Sequence, residues 1–592
     1  MTRVQQSKGS PRVNEAAWRA VLRARGWQIA LLVVVTLLAY LPAFSGGWVW
    51  DDDEYVLNNP TLASLSGLGK IWFDPSTTPQ YYPLVFTTFW VDARLFGLDA
   101  RGYHASNVFL HAAVAVLLLL LLDRLRVAGA WAIALLFAVH PVHVESVAWI
   151  TERKNVLSAL FYFGAALSYL RFDPPEGSEA KRDWRPYGVA LGLFVLALLA
   201  KTTAVSLAPA LLLILWWKRG RLEMKSLAPL TPFFAIGVLG GALTASLEHG
   251  KVGAQGAAWS LHALERVVLA GRAFWFYPMK LLLPHPLVFI YPRWQISVNA
   301  LQLVAPLTAA AALIALFALR ARLGKGPVVA ALFYAAAIFP ALGFFNVYWM
   351  RFSYVADHFQ YLGSIGILAL LVAAWRRVRA PEQTALDRPV AAVVVLALAL
   401  LTARQASVYR SGEDLWRDTL AKNDQAWIAH NNLGFLLANT GRGTEAEPHY
   451  RAALQLYPDF AEAHNNLATL RGQQGRFDEA IAACERAIAA DPKFARAYFN
   501  RALAEFRLGR HEEALRDLDR FEELSGPYAR ARLYRGLALQ ALGRTSEAIA
   551  AFDASLTLDP NQSDVRAARA KLVAGSGVVS PGPTTPPSSA PR

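Results

Sequence analysis

The stretch GGWVWDDDEY, residues 46–55, follows directly on the first long apolar segment of the chain, Trp27 to Phe44. It places four consecutive acidic residues, Asp51 to Glu54, where that segment would leave a membrane. An ionisable group at a membrane boundary is costly to hold, so it is by default a candidate functional site. The alternative is that the acids only end a helix and lie in headgroup water. Flanking aromatic residues and a mixed loop reaching to about residue 102 favour a functional loop.

The average composition of the 592 residues, 55% hydrophobic and 17% charged with a mean hydropathy of +0.28, hides two unlike parts. Apolar runs near spanning length recur from Gln28 to about Ala403. From Trp416 onward, charged residues and amphipathic helical patterning take over. We therefore predict an all-α protein, with a polytopic membrane helix bundle followed by a helical solenoid.

We predict about eleven membrane spans, with the amino terminus in the cytoplasm and the carboxyl terminus outside. The predicted spans are residues 27–44, 105–122, 129–147, 155–171, 187–200, 203–217, 228–245, 298–319, 328–345, 359–375 and 389–403. The segment Leu261–Leu283 is also apolar but carries four charged residues. We predict that it lies at the outer face or is partly re-entrant.

The net charge of +15 is concentrated before the first span and in short loops, a distribution typical of positive-inside topology and not of a nucleic-acid-binding stripe. The residues concerned are Arg3, Lys8, Arg12, Arg19, Arg23, Arg25, Arg124, Arg126, Lys181, Arg182, Arg185, Lys218, Arg219, Arg221, Lys225, Arg320, Arg322, Lys325, Arg376, Arg377 and Arg379. We predict no nucleic-acid partner. The long first apolar run lacks a small-residue cleavage site, so it is expected to be a retained span.

The carboxyl-terminal region repeats with the 34-residue period of tetratricopeptide repeats, with units beginning at Trp427, Ala461, Ala495 and Ala529. Each unit has a small residue at its eighth position and Ala at its twentieth, which allows paired helices to approach closely. The single cysteine, Cys484, lies within this region and is predicted to serve packing. Such solenoids have a concave groove that binds peptides.

The predicted domain order follows from these patterns. It consists of a cytoplasmic segment 1–26, a transmembrane domain 27–404 with an outward loop 45–104, a connecting half-repeat 405–426, four repeats 427–562, and a capping helix with a disordered Pro/Ser/Thr-rich tail 563–592.

Further polar residues lie in or beside the segments predicted to face outward. Lys201 separates two apolar runs of 14 or 15 residues, each rising only ~21 Å or slightly more, so it is expected below the outer surface. There it would line a wet cavity or bind an anion, or it would extend to the interface. His140 and His143 with Glu145 match no standard zinc spacing, and a hydrogen-bonded His-Pro turn is the preferred interpretation.

The sequence contains neither a phosphate-binding loop nor a Ser-nucleophile elbow. An outward-facing enzyme also has no nucleotide pool, so an activated donor would have to be anchored in the membrane. A carboxylate can act as general base on an acceptor hydroxyl, while Lys and Arg bind the phosphate leaving group of a lipid-linked sugar.

Several motifs of the membrane region carry a family resemblance. They are Trp50-Asp51-Asp52 with Asn58-Asn59-Pro60, Tyr82-Pro83-Leu84, Gly102-Tyr103-His104 with Asn107, Leu110-His111-Ala112, Phe137 to His143 with Glu145, Arg153, and Leu199-Ala200-Lys201. With these motifs the chain resembles the transmembrane and tetratricopeptide-repeat O-mannosyltransferases and their bacterial relatives, within the C-type (GT-C) glycosyltransferases. The resemblance is densest up to about residue 210, and the order of parts covers nearly the whole chain.

The resemblance implies a GT-C-like bundle and an essential acid in the first outward loop, Asp51 or Asp52. It further implies cations on the donor phosphate, first Arg153 and Lys201 by motif position. Further candidates chosen by charge, residue type or predicted sidedness are Lys154, Arg272, Arg293, Arg351, Asp53, His140, His143, Glu145 and His358. No metal ligands are assigned, and the sequence leaves open whether a divalent metal assists.

These inferences predict a glycosyltransferase that moves a sugar from a polyprenyl phosphate to Ser or Thr of exported protein, with the repeats recruiting the acceptor. The predicted location is a bacterial inner membrane, with the repeats in the periplasm. Two alternatives remain open. One is a non-catalytic scaffold for envelope assembly, for which this many spans are excessive. The other is a transporter, which the absence of an evident duplicated half disfavours. The sugar, the lipid length, the acceptor and the oligomeric state are not determined.

Overall fold

The structure is a computed structural model that describes residues 13–173, 182–247, 250, 259–378 and 384–576, without the side chains of 13–24, 384–388 and 576. Some of the predicted features lie outside the described residues. These are the first twelve residues of the cytoplasmic segment, the side chains of Arg19 and Arg23, Lys181, Arg379, and the Pro/Ser/Thr-rich tail from 577.

The described residues form helices and helical turns with no strand among them, which confirms the all-α prediction. They divide into two compact units, residues 1–423 and 424–592. The α-helices of the first unit are α1 (Val13–Ala39), α2 (Leu65–Phe73), α3 (Pro83–Phe96), α4 (Ala100–Arg124), α5 (Ala130–Val139), α6 (Val144–Ala148), α7 (Arg153–Phe172), α8 (Trp184–Ala200), α9 (Leu207–Arg219), α10 (Met224–Leu227), α11 (Thr231–Leu247), α12 (Ala263–Leu282), α13 (Ala300–Ala318), α14 (Arg320–Leu323), α15 (Gly326–Ile338), α16 (Ser364–Val378), α17 (Thr384–Ser407) and α18 (Gly412–Lys422).

Among the described residues, four helices are long and apolar enough to cross a membrane, namely Ala100–Arg124, Met224–Leu247, Ala300–Ala318 and Pro389–Arg410. A fifth span results if the pair Ala130–Val139 and Pro141–Ala148, which is bent by 56°, is counted as one. This is fewer than the predicted eleven. The sequence pattern does not reveal where a helix breaks, and α9 and α15 are each 13 residues long because short 3-10 turns adjoin them. At ~1.5 Å per residue, such helices rise only ~20 Å.

Three of these long apolar helices expose most of their surface. Only 17% of the apolar window in Met224–Leu247, 6% in Ala300–Ala318 and 11% in Pro389–Arg410 is buried. Apolar helices with so little protein contact would be unfavourable in water, so their exposed sides fit a lipid environment. The helix α12 has the length of a span, but its charged residues keep it out of this apolar set.

Buried polar residues of the first unit are concentrated around the start of α7. The helix begins at Arg153 and packs most extensively against α8 and then α4. The 3-10 turns Pro141–His143 and Ile150–Glu152 precede it, separated by the short helix α6. This arrangement brings the segment 140–155 next to the loop that follows α1.

The second unit is a run of antiparallel helix pairs: α19 (Trp427–Asn439), α20 (Gly443–Leu456), α21 (Ala461–Gln473), α22 (Phe477–Ala490), α23 (Ala495–Arg507), α24 (His511–Ser525), α25 (Ala529–Ala541), α26 (Thr545–Leu558) and the final α27 (Ser563–Ser576). The first helix of each pair begins at the predicted residue. A glycine with positive φ, from 73° to 77°, lies between the two helices of every pair, at 441, 475, 509 and 543. This left-handed conformation favours glycine.

The two helices of each repeat fit by matching a small residue with a larger one. In the first and last repeats, a Cβ added to Gly434 would lie 2.9 Å from the Tyr450 ring, and one added to Gly536 would lie 2.5 Å from the Phe552 ring. In the middle repeats, Ala468 packs with Cys484, and Ala502 packs with Leu518. Glycine therefore faces an aromatic ring, whereas alanine faces a smaller side chain.

We expect Gly434→Ala to destabilise the second unit by about 1–3 kcal/mol, because the new methyl group overlaps the Tyr450 ring. Adding Tyr450→Leu should recover a large part of this loss, since it recreates the alanine and leucine pair of the third repeat. The buried Cys484 supplies the measurement, as thiol labelling of the intact chain during heating reports when this unit opens. Equal labelling temperatures for the original chain and Gly434→Ala would contradict the packing argument.

Candidate functional site

Two glycines allow the loop after α1 to pass through a crowded space. A Cβ added to Gly46 would lie 2.5 Å from Nε2 of His104. The backbone N–H of Gly47 donates to the carbonyl of Arg410 over 2.9 Å, and His104 Nε2 lies 3.1 Å from the Gly47 carbonyl oxygen. Since no side chain fits at Gly46 without moving His104, the glycine fixes where the acidic stretch begins.

Trp50 anchors the acidic stretch in an aromatic cluster. Its φ of +44° lies in the left-handed region, which is unfavourable for a bulky residue. Five aromatic rings surround it with centroids 5.4–5.7 Å away, and they are Trp149, Phe289, Trp349, Phe352 and Trp416. Trp149 is stacked at an interplanar angle of 3°. This packing stabilises the strained backbone and sets the direction of the next residue, Asp51.

Asp52 is fully buried, and its carboxylate holds two segments together. One oxygen accepts hydrogen bonds from the backbone N–H of Thr151 at 2.9 Å and from its hydroxyl at 2.6 Å. The other accepts from the backbone N–H of Val49 at 2.9 Å. Burial raises the pKa of Asp52 to about 7, although these hydrogen bonds oppose the shift. Asp52 therefore ties the loop to the start of α7.

Asp51 is partly exposed, and its side chain has no hydrogen-bond partner among the described residues. Burial of the carboxyl group raises its pKa to about 7. The nearby Lys154 opposes this shift, while the negative charges of Glu54, Glu152 and Asp53 add to it. Of the two candidate acids, Asp51 is therefore the one that can accept a proton from another molecule.

Glu152 holds two lysines at the start of α7. One of its oxygens lies 2.8 Å from Nζ of Lys154, and the other lies 3.1 Å from Nζ of Lys201. Lys201 also donates to Oδ1 of Asn155 over 2.8 Å, and Lys154 to Oε1 of Gln80 over 3.4 Å. Burial lowers the pKa of Lys201 to about 8, while Glu152 opposes the shift. The group of Lys154, Glu152 and Lys201 thus carries one net positive charge when all three are ionised.

The position of Glu152 also explains its acidity. Burial would raise its pKa, but His358, Lys154 and Lys201 together lower it well below the ordinary value. His358 pairs through Nδ1 with Glu145 at 2.9 Å, and its backbone N–H donates to the same carboxylate at 3.0 Å. Glu145 and His358, far apart in the chain, are therefore brought together on one side of this group.

Arg153 contacts different residues from the two lysines and is only 1% exposed. It forms an ion pair of 2.5 Å with Asp92, donates through Nε to Asn107 over 2.6 Å, and donates to the carbonyl of Tyr103 over 2.9 Å. Its guanidinium also lies 4.6 Å from the centre of the Phe89 ring. These contacts join α7 to α3 and α4, so the structure places Arg153 in the packing of the bundle.

The remaining cationic candidates lie elsewhere, whereas Asp53 is close enough to Asp51 to raise its pKa. Arg272 is stacked on Trp294 at 4.4 Å, and Arg293 donates to the hydroxyl of Tyr354 over 3.1 Å. Arg351 belongs to the 3-10 turn Tyr348–Arg351. Asp53 is exposed and begins the π-helical turn Asp53–Leu57.

His140 and His143 form hydrogen-bonded contacts inside the protein. His140 Nε2 lies 3.0 Å from the Leu281 carbonyl oxygen, and its Nδ1 accepts from the backbone N–H of Val142 over 3.4 Å. His143 lies 2.8 Å from the Phe137 carbonyl oxygen and 3.0 Å from the hydroxyl of Ser364. Across the described ranges, no group of three or more His, Cys, Asp or Glu residues could hold a metal ion.

Sequence reasoning did not place Glu152, Thr151 or Asn155 in the site. All three are polar residues directly next to the candidate Arg153, in the stretch Thr151-Glu152-Arg153-Lys154-Asn155. The sequence signal that could have pointed to these three residues is this dense run of polar residues between two apolar segments. The choice among its members required knowing which side of α7 faces the acidic loop.

Comparison with known proteins identifies the second unit. Residues 424–493 match one tetratricopeptide-repeat family model, and residues 465–525 and 512–563 match another. A solved structure similar to this unit is that of YrrB, described as a tetratricopeptide-repeat protein with an unusual peptide-binding site. Its sequence is 22% identical, the match covers 28% of this chain and 85% of YrrB, and the TM-score is 0.26. The helix bounds and the family match confirm the predicted tetratricopeptide solenoid.

The chain has named relatives as well. The human protein O-mannosyl-transferase TMTC1 is 28% identical over 500 residues, covering 73% of this chain and 55% of the human protein. Human protein O-mannosyl-transferase TMTC3 is 32% identical over 192 residues, which cover 30% of this chain and 20% of that protein. Mouse protein O-mannosyl-transferase TMTC4 is 28% identical over 207 residues, which cover 30% of this chain and 28% of that protein. The chain thus spans about half the length of the first relative and less of the others. The inferred resemblance to the transmembrane and tetratricopeptide-repeat O-mannosyltransferases is confirmed, and the chain is a membrane protein with a tetratricopeptide unit.

Proposed function

We propose that the chain is a membrane glycosyltransferase that transfers a sugar from a polyprenyl phosphate to Ser or Thr hydroxyls of proteins on the outer face of the membrane. The observation that carries this proposal is the position of Asp51, an unbonded carboxyl group with a pKa of about 7, close enough to Lys154 to feel its charge. Glu152 holds this lysine together with Lys201. The named relatives, which are protein O-mannosyl-transferases, support the reaction class. Mannose is the corresponding candidate sugar.

Asp51 acts as the general base in this mechanism. It accepts the proton of the acceptor hydroxyl while the hydroxyl oxygen forms a bond to the anomeric carbon of the sugar. The bond between that carbon and the phosphate oxygen breaks, and the polyprenyl phosphate leaves with the electron pair. A base whose pKa lies near the working pH is deprotonated in a large fraction of the molecules and still binds a proton strongly enough to favour its transfer.

Lys154 and Lys201 stabilise the charge that develops on the leaving phosphate. Each ammonium has three N–H donors, and two partners are seen for each among the described residues, so one donor of each is available to a ligand. Their side chains are 11% and 10% exposed, which leaves them accessible at the edge of the site. Glu152 fixes both lysines before the substrate arrives, as electrostatic preorganisation requires.

The tetratricopeptide unit recruits or orients the acceptor protein in its groove, as such solenoids do for peptides. The outward orientation is supported by the placement of basic residues in the predicted cytoplasmic loops. The bacterial inner membrane is the location proposed for the chain. No step of this mechanism requires a metal ion.

The function is tested by mass spectrometry of exported proteins from cells with and without the intact chain at equal membrane protein levels. New hexose additions on Ser and Thr peptides are expected only where the chain is present. Transfer from a synthetic polyprenyl phosphate hexose to the same peptides by the purified chain would confirm the donor class. An unchanged glycan profile, with a phenotype that depends only on the tetratricopeptide unit, would instead support the scaffold.

We expect the transfer rate to rise with pH through a midpoint of about 7 and to fall away below it, because Asp51 must be deprotonated to accept the hydroxyl proton. Initial rates between about pH 5 and 8 with the purified chain would show this ascending limb. Rates that stay constant across this range, under conditions where chemistry limits turnover, would exclude a base with this pKa.

A further inference from the structure

The tetratricopeptide unit curves toward the first helices of its repeats. The first helices of consecutive repeats pack directly on one another, α19 on α21, α21 on α23 and α23 on α25, whereas the second helices approach each other less. Side chains also join the first helices, since Asn466 donates to Asn431 over 3.0 Å and Asn500 donates to Asn465 over 2.8 Å. The first helices therefore line the inner groove of the solenoid, and the second helices form its outer face.

Charge is divided between the two sides of the solenoid. The four first helices contain seven basic and two acidic residues, whereas the four second helices contain four basic and thirteen acidic residues. The positive charge lies in the third and fourth repeats, where α23 and α25 together contain six arginines and one acid, the buried Glu505. In the second repeat, Glu462 stands at the position where these two helices have arginine, so the positive region ends there.

Three of the six arginines are neutralised inside the solenoid by acids of the second helix α24. The ion pairs are Arg501 with Asp517, Arg532 with Glu522, and Arg535 with Asp519. The other three, Arg496, Arg507 and Arg530, are exposed and have no hydrogen-bond or ion-pair partner among the described residues. Their guanidinium groups are therefore available to a ligand.

These three arginines lie on the groove side of their helices. Ala502 of α23 packs with Leu518 of α24, and so it marks the side of α23 that faces the paired helix. At roughly 100° per residue, Arg496 and Arg507 lie roughly 120° and 140° around the helix from Ala502, in the same direction. Arg530 stands at the same position of α25 as Arg496 does of α23. All three are therefore turned away from the second helices.

Apolar and aromatic side chains separate the arginines. Leu503 and Leu537 hold equal positions in α23 and α25 and are half-buried on the same side. Phe499 and Tyr534 contact each other between these helices with ring centroids 6.4 Å apart, and the Arg530 guanidinium lies 5.8 Å from the centre of the Tyr534 ring. A nucleic acid is bound along a continuous basic groove. The mixed surface instead fits a peptide that carries both carboxylates and apolar side chains.

We propose that the groove of the third and fourth repeats binds an acidic peptide segment. Its carboxylates lie on Arg496 and Arg530, and its apolar side chains lie against Leu503 and Leu537. A guanidinium binds a carboxylate through two parallel hydrogen bonds, which makes arginine the suitable cation at both positions. Peptide binding is independent of sugar transfer. Only the source of the segment, an acceptor protein whose Ser or Thr is modified elsewhere along its chain, rests on the proposed function.

Binding is measured by the fluorescence anisotropy of a labelled peptide of three Glu-Ala-Asp-Leu units with the intact purified chain, without donor. Arg496→Gln combined with Arg530→Gln is expected to weaken binding by about tenfold or more, because two charged donors to carboxylates are lost. Arg486→Gln combined with Arg516→Gln is the matched control, since it removes the same charge from exposed positions of the second helices. At about 0.15 M salt these distant charges are screened, so the control should bind as the original chain does.

Further comparisons decide the chemistry of the ligand. The uncharged peptide of three Gln-Ala-Asn-Leu units should bind the original chain at least about tenfold more weakly. Equal binding of the two peptides, equal affinities of the two double variants, or tighter binding of a single-stranded oligonucleotide of the same charge would overturn the proposal. Labelling of Cys484 during heating should show equal unfolding temperatures, because the replaced groove arginines are exposed. The peptide comparison uses the original chain, so it holds whatever the stability of a variant.

A transfer assay separates failure of this inference from failure of the proposed function. An acidic extension on a Ser- or Thr-containing acceptor peptide should lower its KM several-fold, and the double substitution of Arg496 and Arg530 should abolish this gain. Peptide binding without any sugar transfer would overturn only the proposed function. Sugar transfer with equal KM values for the extended and the plain acceptor would overturn the role of the groove in acceptor recognition.

Discussion

Asp51→Asn is expected to reduce the transfer rate by about 10²- to 10⁴-fold while leaving the thermal stability of the chain unchanged. The carboxyl group has no hydrogen bond to lose among the described residues, and the amide has the same shape but cannot accept the proton. The rate is measured with a polyprenyl phosphate hexose and an acceptor peptide, and stability by heating the purified chain. Asp53→Asn, an exposed neighbour in the same acidic stretch, is the matched control and should retain most of the activity.

Asp52→Asn distinguishes the roles of the two adjacent acids, because its expected effect on thermal stability differs from that of Asp51→Asn. The Asp52 carboxylate accepts from two backbone N–H groups and one hydroxyl, and an amide cannot satisfy all three because one of its atoms is a donor. We therefore expect lower thermal stability in addition to reduced transfer. If Asp52→Asn were fully stable and inactive while Asp51→Asn kept its activity, the assignment of Asp51 as the base would be wrong.

Arg153→Met is expected to destabilise the first unit by about 3–5 kcal/mol, because it leaves the buried carboxylate of Asp92 without its ion-pair partner. The effect should appear as a lower unfolding temperature of the intact chain, followed by tryptophan fluorescence. Adding Asp92→Asn should restore part of the stability, since the uncompensated charge is then removed.

The same experiment distinguishes two roles of Arg153. The family resemblance implies a contact with the donor phosphate, whereas the observed ion pair and hydrogen bonds assign the side chain to packing. A stable Arg153→Met chain with weakened donor binding would favour the first role. Lys is not an equivalent replacement at this position, because a single ammonium cannot reproduce the several directed donors of the guanidinium.

The periodic parts of the chain could be predicted from the sequence. The 34-residue repeat fixes where each tetratricopeptide helix pair begins, because small residues must recur at the helix contact in every unit. Long apolar runs likewise predict helices, since a membrane leaves the backbone no partner except itself. The number of spans was not predictable in the same way, because a run such as 129–147 contains a bend at Pro141 that hydropathy does not reveal.

The sequence by itself determined the all-helical class, the boundaries of the repeats and the acidic stretch as the candidate site. All three follow from local rules of spacing, composition and charge. Only the tertiary structure decided which acid is tied to Thr151 and which is unbonded, and which cation lies beside Glu152. Asp51 and Asp52 are chemically identical neighbours, and so their roles depend on contacts with residues about a hundred positions away.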